Sequence, residues 1–167
     1  NFPAGKTAYQ ADKKRLLPGI AFAGNIDRSL IDQDFQHSGL LTLDVDENTP
    51  DQLADLFSLI KSGRLVYIEA AARSVSGFVT GALWVNIRVQ VPEDVFKLPK
   101  RLKTLLNIKD QMTRFEALSR LQEGYWKAFQ HLFKKELRIS IGSAGKDLKR
   151  VRYIAHDPDL YLNDDAQ

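Results

Sequence analysis

The sequence predicts a domain that mixes strands and helices, α/β or α+β, with about four to six strands. Three observations predict it. Short apolar runs bounded by glycine, proline and acidic residues alternate with stretches of helical periodicity, and one such stretch opens on a complete helix-start signal. The chain of 167 residues, 44% hydrophobic and 27% charged, also suits one packed core without a solenoid repeat.

Residues 1–15 are polar and read as an N-terminal extension or first element, with one domain over residues 16–167. Residues 17–23, bracketed by Pro18, Gly19 and Gly24, read as a strand and turn. Residues 39–46, Gly-Leu-Leu-Thr-Leu-Asp-Val-Asp, give the sharpest strand signal: an apolar run suited to a covered sheet, ending abruptly in carboxylates. Thr49-Pro50-Asp51-Gln52 announces a helix, with Thr49 as N-cap, Pro50 in the first turn, Asp51 at the positive end and Gln52 closing a capping box. Leu53, Leu56, Phe57 and Ile60 form its apolar stripe, which packs on the sheet, and Gly63 stops it.

Residues 65–70 and 83–91 read as further strands, joined by a loop containing Ser74-Val-Ser-Gly77 and Thr80-Gly81. In the latter strand Trp84, Asn86, Arg88 and Gln90 face opposite to Val85, Ile87, Val89 and Val91, which predicts one dry face and one wet face. Beyond Pro92 and Pro99, a long helix is predicted over residues 110–135 from the spacing of Phe115, Leu118, Leu121, Tyr125, Phe129, Leu132 and Phe133. Residues 137–141 and 151–155 read as short strands before a tail that turns polar.

The absence of cysteine excludes disulfide scaffolds, thiolate nucleophiles and cysteine-ligated zinc. No run of about 18 apolar residues occurs and no signal-type segment opens the chain, so a soluble, cytoplasmic protein with no membrane partner is expected. Charge is uneven: residues 97–152 carry 15 basic and 5 acidic residues, while the rest carry 9 and 16. Within the basic region Lys97, Lys100, Arg101, Lys103 and Arg152 suit nucleic-acid phosphates, although a solvated surface has the same composition.

Asp44 and Asp46, two apart on a strand, leave from one face and can converge on one cation. Mg2+ or Mn2+ would offset their mutual repulsion and could also hold substrate phosphates. Two such ions would activate a 3'-hydroxyl and stabilise a leaving pyrophosphate; equally, the acidic run can simply open an exposed turn. The residue 74–81 loop offers hydroxyls, backbone N–H groups and glycines, as a phosphate nest or a plain connection. It is not a P-loop, because no Gly-Lys-Ser or Gly-Lys-Thr follows.

Lys146, Lys149, Arg150 and Arg152 can direct cations at a triphosphate or a template backbone. Asp147 between them can be a metal ligand or an intramolecular partner. His37, His131 and His156 show no ligand spacing, and Trp84, Trp126 and Tyr125 read as packing groups, with Trp84 the one placed for base stacking.

Four blocks in order, Leu17-Pro-Gly-Ile-Ala-Phe-Ala-Gly24, His37-Ser-Gly-Leu-Leu-Thr-Leu-Asp-Val-Asp46, Ser74-Val-Ser-Gly77 and Arg150-Val-Arg-Tyr-Ile-Ala-His-Asp-Pro-Asp-Leu-Tyr161, span residues 17–161. Together they resemble the primase-polymerase-like domain of the virulence-associated protein E N-terminal type, in the archaeo-eukaryotic primase superfamily. The resemblance implies an α+β, primase-like catalytic core of mixed or antiparallel sheets packed with helices. It also implies a fragment of a longer replication protein, accompanied there by a helicase or ATPase domain.

On that resemblance Asp44 and Asp46 are metal ligands for Mg2+ or Mn2+, and Ser74, Ser76 and Gly77 form the nucleotide loop. Lys149, Arg150 and His156 lie toward a nucleoside triphosphate. The third acidic position falls on Gly142, and Asp147, Glu69 and Asp157 are the acids that could replace it. Two functions follow as expectations. One is metal-dependent, template-directed nucleotidyl transfer on single-stranded or primer-template DNA, with Asp44, Asp46 and Asp147 as catalytic candidates. The other is a catalytically degenerate DNA-binding or replication-initiation module.

Overall fold

Antiparallel pairing organises the structure, a computed structural model that describes residues 19–24, 35–74, 82–148, 152–153 and 157–166. Its elements are β1 (Gly19–Ile20), β2 (Leu40–Val45), α1 (Pro50–Lys61), β3 (Ile68–Arg73), β4 (Leu83–Arg88), α2 (Lys100–Leu105), α3 (Arg114–Leu132), β5 (Arg152–Tyr153) and β6 (Tyr161–Leu162). Four strands form an antiparallel sheet in the order β2-β4-β3-β6, and β1 pairs with β5 in a separate ribbon. The class is therefore α+β.

Leu41, Leu43 and Val45 of β2 lie opposite Ile87, Val85 and Leu83 of β4, and the same face receives Leu53, Leu56, Phe57 and Ile60 from α1. Trp126 of α3 and Phe133 complete this core, in which a buried aliphatic or aromatic side chain contributes about 1.5–3 kcal/mol. A second cluster joins Phe35, Val95, Ile108, Ala117, Leu118, Leu121 and Leu148.

Helix α1 starts as its sequence predicts. The Thr49 hydroxyl accepts the Gln52 N–H, and the Gln52 side-chain oxygen accepts the Thr49 N–H at 3.0 Å. Past its end, Gly63 adopts φ 72°, the left-handed conformation that favours glycine. A second capping box, Thr113 with Glu116, starts α3 at Arg114 and not at residue 110. A π-helical turn, Phe133–Leu137, extends α3 and ends on Arg138 at φ 57°.

Several expectations are corrected. Strand β3 begins at Ile68, because Val66 is exposed and the pairing run uses the small residues Ala70, Ala71 and Ala72. The face of β4 expected to be wet is buried at Trp84 and Asn86: Phe22 packs on the Trp84 ring, and the Thr42 hydroxyl donates to Asn86 Oδ1 at 2.6 Å. Helix α2, which is basic and carries no buried residue, has no apolar stripe to announce it. Residues 137–141 form no strand; the chain leaves the π turn extended and touches β2 through one bridge, Asp44 with Gly142. The expected strand at 17–23 is seen as Gly19–Ile20, and that at 151–155 as Arg152–Tyr153; residues 17–18, 151 and 154–155 lie outside the described residues. Among the described residues no helix is long and apolar enough to cross a membrane.

Candidate functional site

The face of β2 opposite the main core carries Thr42 and Asp44, and Asp46 follows on the same side just past the strand end. Thr42 is buried, Asp44 half-buried beside its register partner Trp84, and Asp46 exposed. The free edge of β2 is covered by a strap, residues 140–145. Gly142 donates its N–H to the Asp44 carbonyl at 2.8 Å, and Trp126 Nε1–H donates to the Gly142 carbonyl at 3.1 Å. This closure shields a sheet edge that would otherwise be open to pairing.

Two glycines set how closely the strap approaches. A Cβ on Gly145 would lie 2.3 Å from the Thr42 carbonyl oxygen, so only glycine permits this backbone contact. A Cβ on Gly142 would stand 3.0 Å from Asp46 Oδ1 and 3.5 Å from Asp44 Cβ. The residue at the expected third acidic position therefore does lie against the pair, but it brings no carboxylate.

A buried relay anchors the strap to the start of β2. Gln122 Nε2–H donates to the Gly145 carbonyl at 3.3 Å, and Gln122 Oε1 accepts from His37 Nε2 at 3.0 Å. His37 Nδ1 accepts the Gly39 N–H at 2.9 Å, which leaves the Nε2–H tautomer as the one that fits. Burial pushes the His37 imidazole below its ordinary value, against the opposing effect of the Gln122 hydrogen bond. His37 is thus a structural group.

Register places Ser74 at the same end of the sheet. Arg73 pairs with Leu83, and Leu83 with Val45, so Ser74 lies two strands across from Asp46, about 10 Å by strand spacing. Its N–H donates to the Ala82 carbonyl at 2.9 Å, closing the neck of the loop. Ser76, Gly77, Lys149, Arg150 and His156 lie outside the described residues, and Arg152 is described only by its backbone pairing with Ile20.

The other acids do not join the pair as a ligand set. Asp147 is exposed at the end of the Ser143–Lys146 turn. Glu69 bonds Arg88 at 2.5 Å, at the opposite sheet end. Asp157 accepts the Arg73 N–H on Oδ2 at 2.6 Å and the Asp159 N–H on Oδ1 at 3.0 Å, a turn that fixes the chain against β3. Asp159 in turn bonds Lys61 and Arg73, and Lys61 beside it holds its carboxyl below the usual range. Among the described residues no three His, Asp or Glu side chains gather to hold a metal.

The predicted nucleic-acid residues on and just before α2 also lie apart from the carboxylates. β4 leaves the sheet at Arg88, opposite Leu40, and α2 follows from that end beside Gln90 and Val91. Lys100, Arg101 and Lys103 are on α2, and Lys97 precedes it; Lys103 pairs with Asp110 at 2.9 Å and Lys97 with Asp94 at 3.7 Å. One cavity brings Lys127, His131 and Lys134, none of them expected at the site, together with Glu47, the neighbour of Asp46 in sequence. Their separations of four and three residues put them on one helix face, the signal that could have found them.

Fold and site together define an α+β domain with an acidic strand end on an antiparallel sheet. The family model described as "BT4734-like, N-terminal domain" matches residues 11–162, and the chain belongs to that family. This corrects the resemblance to the virulence-associated protein E type of primase-polymerase, which is a different family. The blocks that carried that resemblance are short, and at least one has a local structural use: Asp157 and Asp159 of the His-Asp-Pro-Asp segment secure the end of β3. No curated protein and no solved structure matches the chain.

Proposed function

We propose that the domain binds a nucleoside triphosphate with Mg2+ or Mn2+ at the Asp44 and Asp46 end of the sheet and catalyses template-directed nucleotidyl transfer on DNA. The supporting observation is convergence: Asp44 on β2 and Asp46 just past its end lie on one side of the strand, and a Cβ on Gly142 of the strap would stand 3.5 Å from Asp44 Cβ and 3.0 Å from Asp46 Oδ1, so the two carboxylates border one place. The donor set fits a single hard cation, since Mg2+ is commonly held by one or two carboxylates while substrate phosphates and water supply its other ligands. Such an ion supplies neutralisation of phosphate charge.

The residues of the chain orient the reactants. Asp44, fixed by the strap at its backbone, gives the site its position, and exposed Asp46 adapts to the bound ligand. Ser74, two strands away at the same end of the sheet, helps to position the triphosphate. The primer 3'-oxygen forms the new bond at the α-phosphorus as the bond to pyrophosphate breaks, and the hydroxyl proton passes to solvent.

Gly142 supports a second reading, a DNA-binding or replication-initiation module without catalysis, because it leaves the pair one carboxylate short of a three-acid site. Either reading keeps single-stranded or primer-template DNA as the partner and suits a helicase or ATPase domain as companion. The test is incorporation of a labelled nucleotide on a primed single-stranded template with Mn2+ or Mg2+. Extension by wild type that disappears in Asp44→Ala/Asp46→Ala is the expected result. Extension by that double variant removes the pair from catalysis, and a folded wild type that binds DNA without extending it selects the second reading.

A further inference from the structure

A polar cavity of about 330 Å3 opens between α3 and the strap, lined by Glu47, Lys127, Gln130, His131, Lys134 and Ser140. It adjoins the carboxylate pair along the chain on both walls: Glu47 follows Asp46, and Ser140 leads through Ile141 into Gly142. The strap wall is held in place. The Asn48 side chain bonds both backbone groups of Ser140, each at 2.8 Å, and Gln130 Nε2–H donates to the Ile141 carbonyl at 3.5 Å.

The lining is rich in donors. Two lysines, a histidine, a glutamine and a serine line it with one acidic residue, a balance that suits an oxyanion. Lys127 is partly compensated by Glu123, 3.0 Å away, whose carboxyl the Lys127 hydrogen bond holds below its usual range. Lys134, in the π-helical turn, makes no ion pair among the described residues. A polyanion that meets a metal at Asp44 and Asp46 would find its next counter-charge here.

We infer that this cavity is a phosphate-binding subsite, in which Lys127, His131 and Lys134 hold a phosphate group beside the Asp44 and Asp46 pair. The inference rests on the reading of that pair as the place where phosphates meet a metal. The phosphate can belong to a nucleic-acid strand or to a nucleoside triphosphate, which share the chemistry the cavity recognises. Lysine contacts to phosphate are independent of base sequence and weaken with salt.

The test is made in EDTA, so that it reads the cavity and not the metal pair. Binding of a fluorescein-labelled single-stranded DNA oligonucleotide is followed by anisotropy at several salt concentrations, and binding of dATP by calorimetry. Wild type is compared with Lys127→Gln/Lys134→Gln and with Lys127→Arg/Lys134→Arg. Both lysines are surface residues, Lys127 with 64% of its side chain exposed, and thermal unfolding checks that each variant is folded.

The Gln double variant is expected to lose about tenfold in affinity for one of the two ligands, with Arg restoring it. Loss for the oligonucleotide, with a salt dependence reduced by about two phosphate contacts, assigns a strand track; loss for dATP assigns a triphosphate subsite. Equal binding of both ligands by wild type and the Gln variant overturns the inference, as does a wild type that binds neither. If lysine-dependent binding persists while wild type incorporates no nucleotide, the catalytic reading falls and the subsite stands.

Discussion

Gly142 donates its N–H to the Asp44 carbonyl at 2.8 Å, and a Cβ placed on it would reach to 3.0 Å from Asp46 Oδ1. Its backbone, at φ −65° and ψ 153°, is one that any residue adopts, so position 142 is constrained by space alone. Gly142→Asp should therefore place a third carboxylate against the pair. Without metal the like charges destabilise the fold, by about 1–2 kcal/mol. Added Mn2+ should restore the melting temperature and bind more tightly than to wild type. Melting curves in EDTA and in Mn2+ that match wild type would mean that position 142 does not share a site with Asp44 and Asp46.

The buried relay at the other end of the strap gives a pH signature. Protonation of His37 would turn Nδ1 toward the Gly39 N–H as a second donor, and burial already lowers the imidazole below its ordinary value of 6.5. The folded state favours the neutral ring, so the unfolded chain takes up the proton first as pH falls. Stability supplied by His37 is full above about pH 6.5 and is lost as pH drops through the lower folded value. Urea midpoints should fall between pH 7.5 and 5.5 in wild type and fall less in His37→Gln. Parallel pH dependence in the two proteins would remove His37 as the source.

Much of this architecture was legible where local chemistry decides it. Thr49, Pro50 and Gln52 carry their own helix start, and the run ending in Asp44 and Asp46 announces both a strand and its acidic end. Contacts made across the chain were not legible. Nothing local in Trp84 or Asn86 says that Phe22 and Thr42 will bury them, because those partners lie far away in sequence. The strap is illegible for the same reason: residues 140–145 hold their place through Trp126, Gln122 and Asn48, not through strand propensity. The sequence marks Gly142 as a departure at a third acidic position, but only the fold shows it against Asp44 and Asp46.

Asp157 is one of the acids expected to stand in for Gly142 as a ligand, and the structure gives it another use. Its two oxygens accept the N–H groups of Arg73 and Asp159. Asp157→Ala should cost about 1.5–3 kcal/mol, the range for hydrogen bonds to a charged group, seen as a lower urea midpoint. Affinity for Mn2+ should stay at the wild-type value. A large loss of Mn2+ binding with little loss of stability would return Asp157 to the ligand set.

Trp126 tests whether the strap positions the acidic pair. Its one side-chain donor, Nε1–H, is spent on the buried Gly142 carbonyl, and its ring fills the core under β2. Trp126→Phe keeps most of the ring volume but removes that hydrogen bond, at about 0.5–1.5 kcal/mol. Because the Gly142 N–H in turn holds the Asp44 backbone, loosening the strap should also widen the positions Asp44 samples relative to Asp46. The expected outcome is a lower urea midpoint together with weaker Mn2+ binding by calorimetry at a temperature where the variant is fully folded. Lost stability with unchanged Mn2+ affinity would show that the strap supports the fold without positioning the pair.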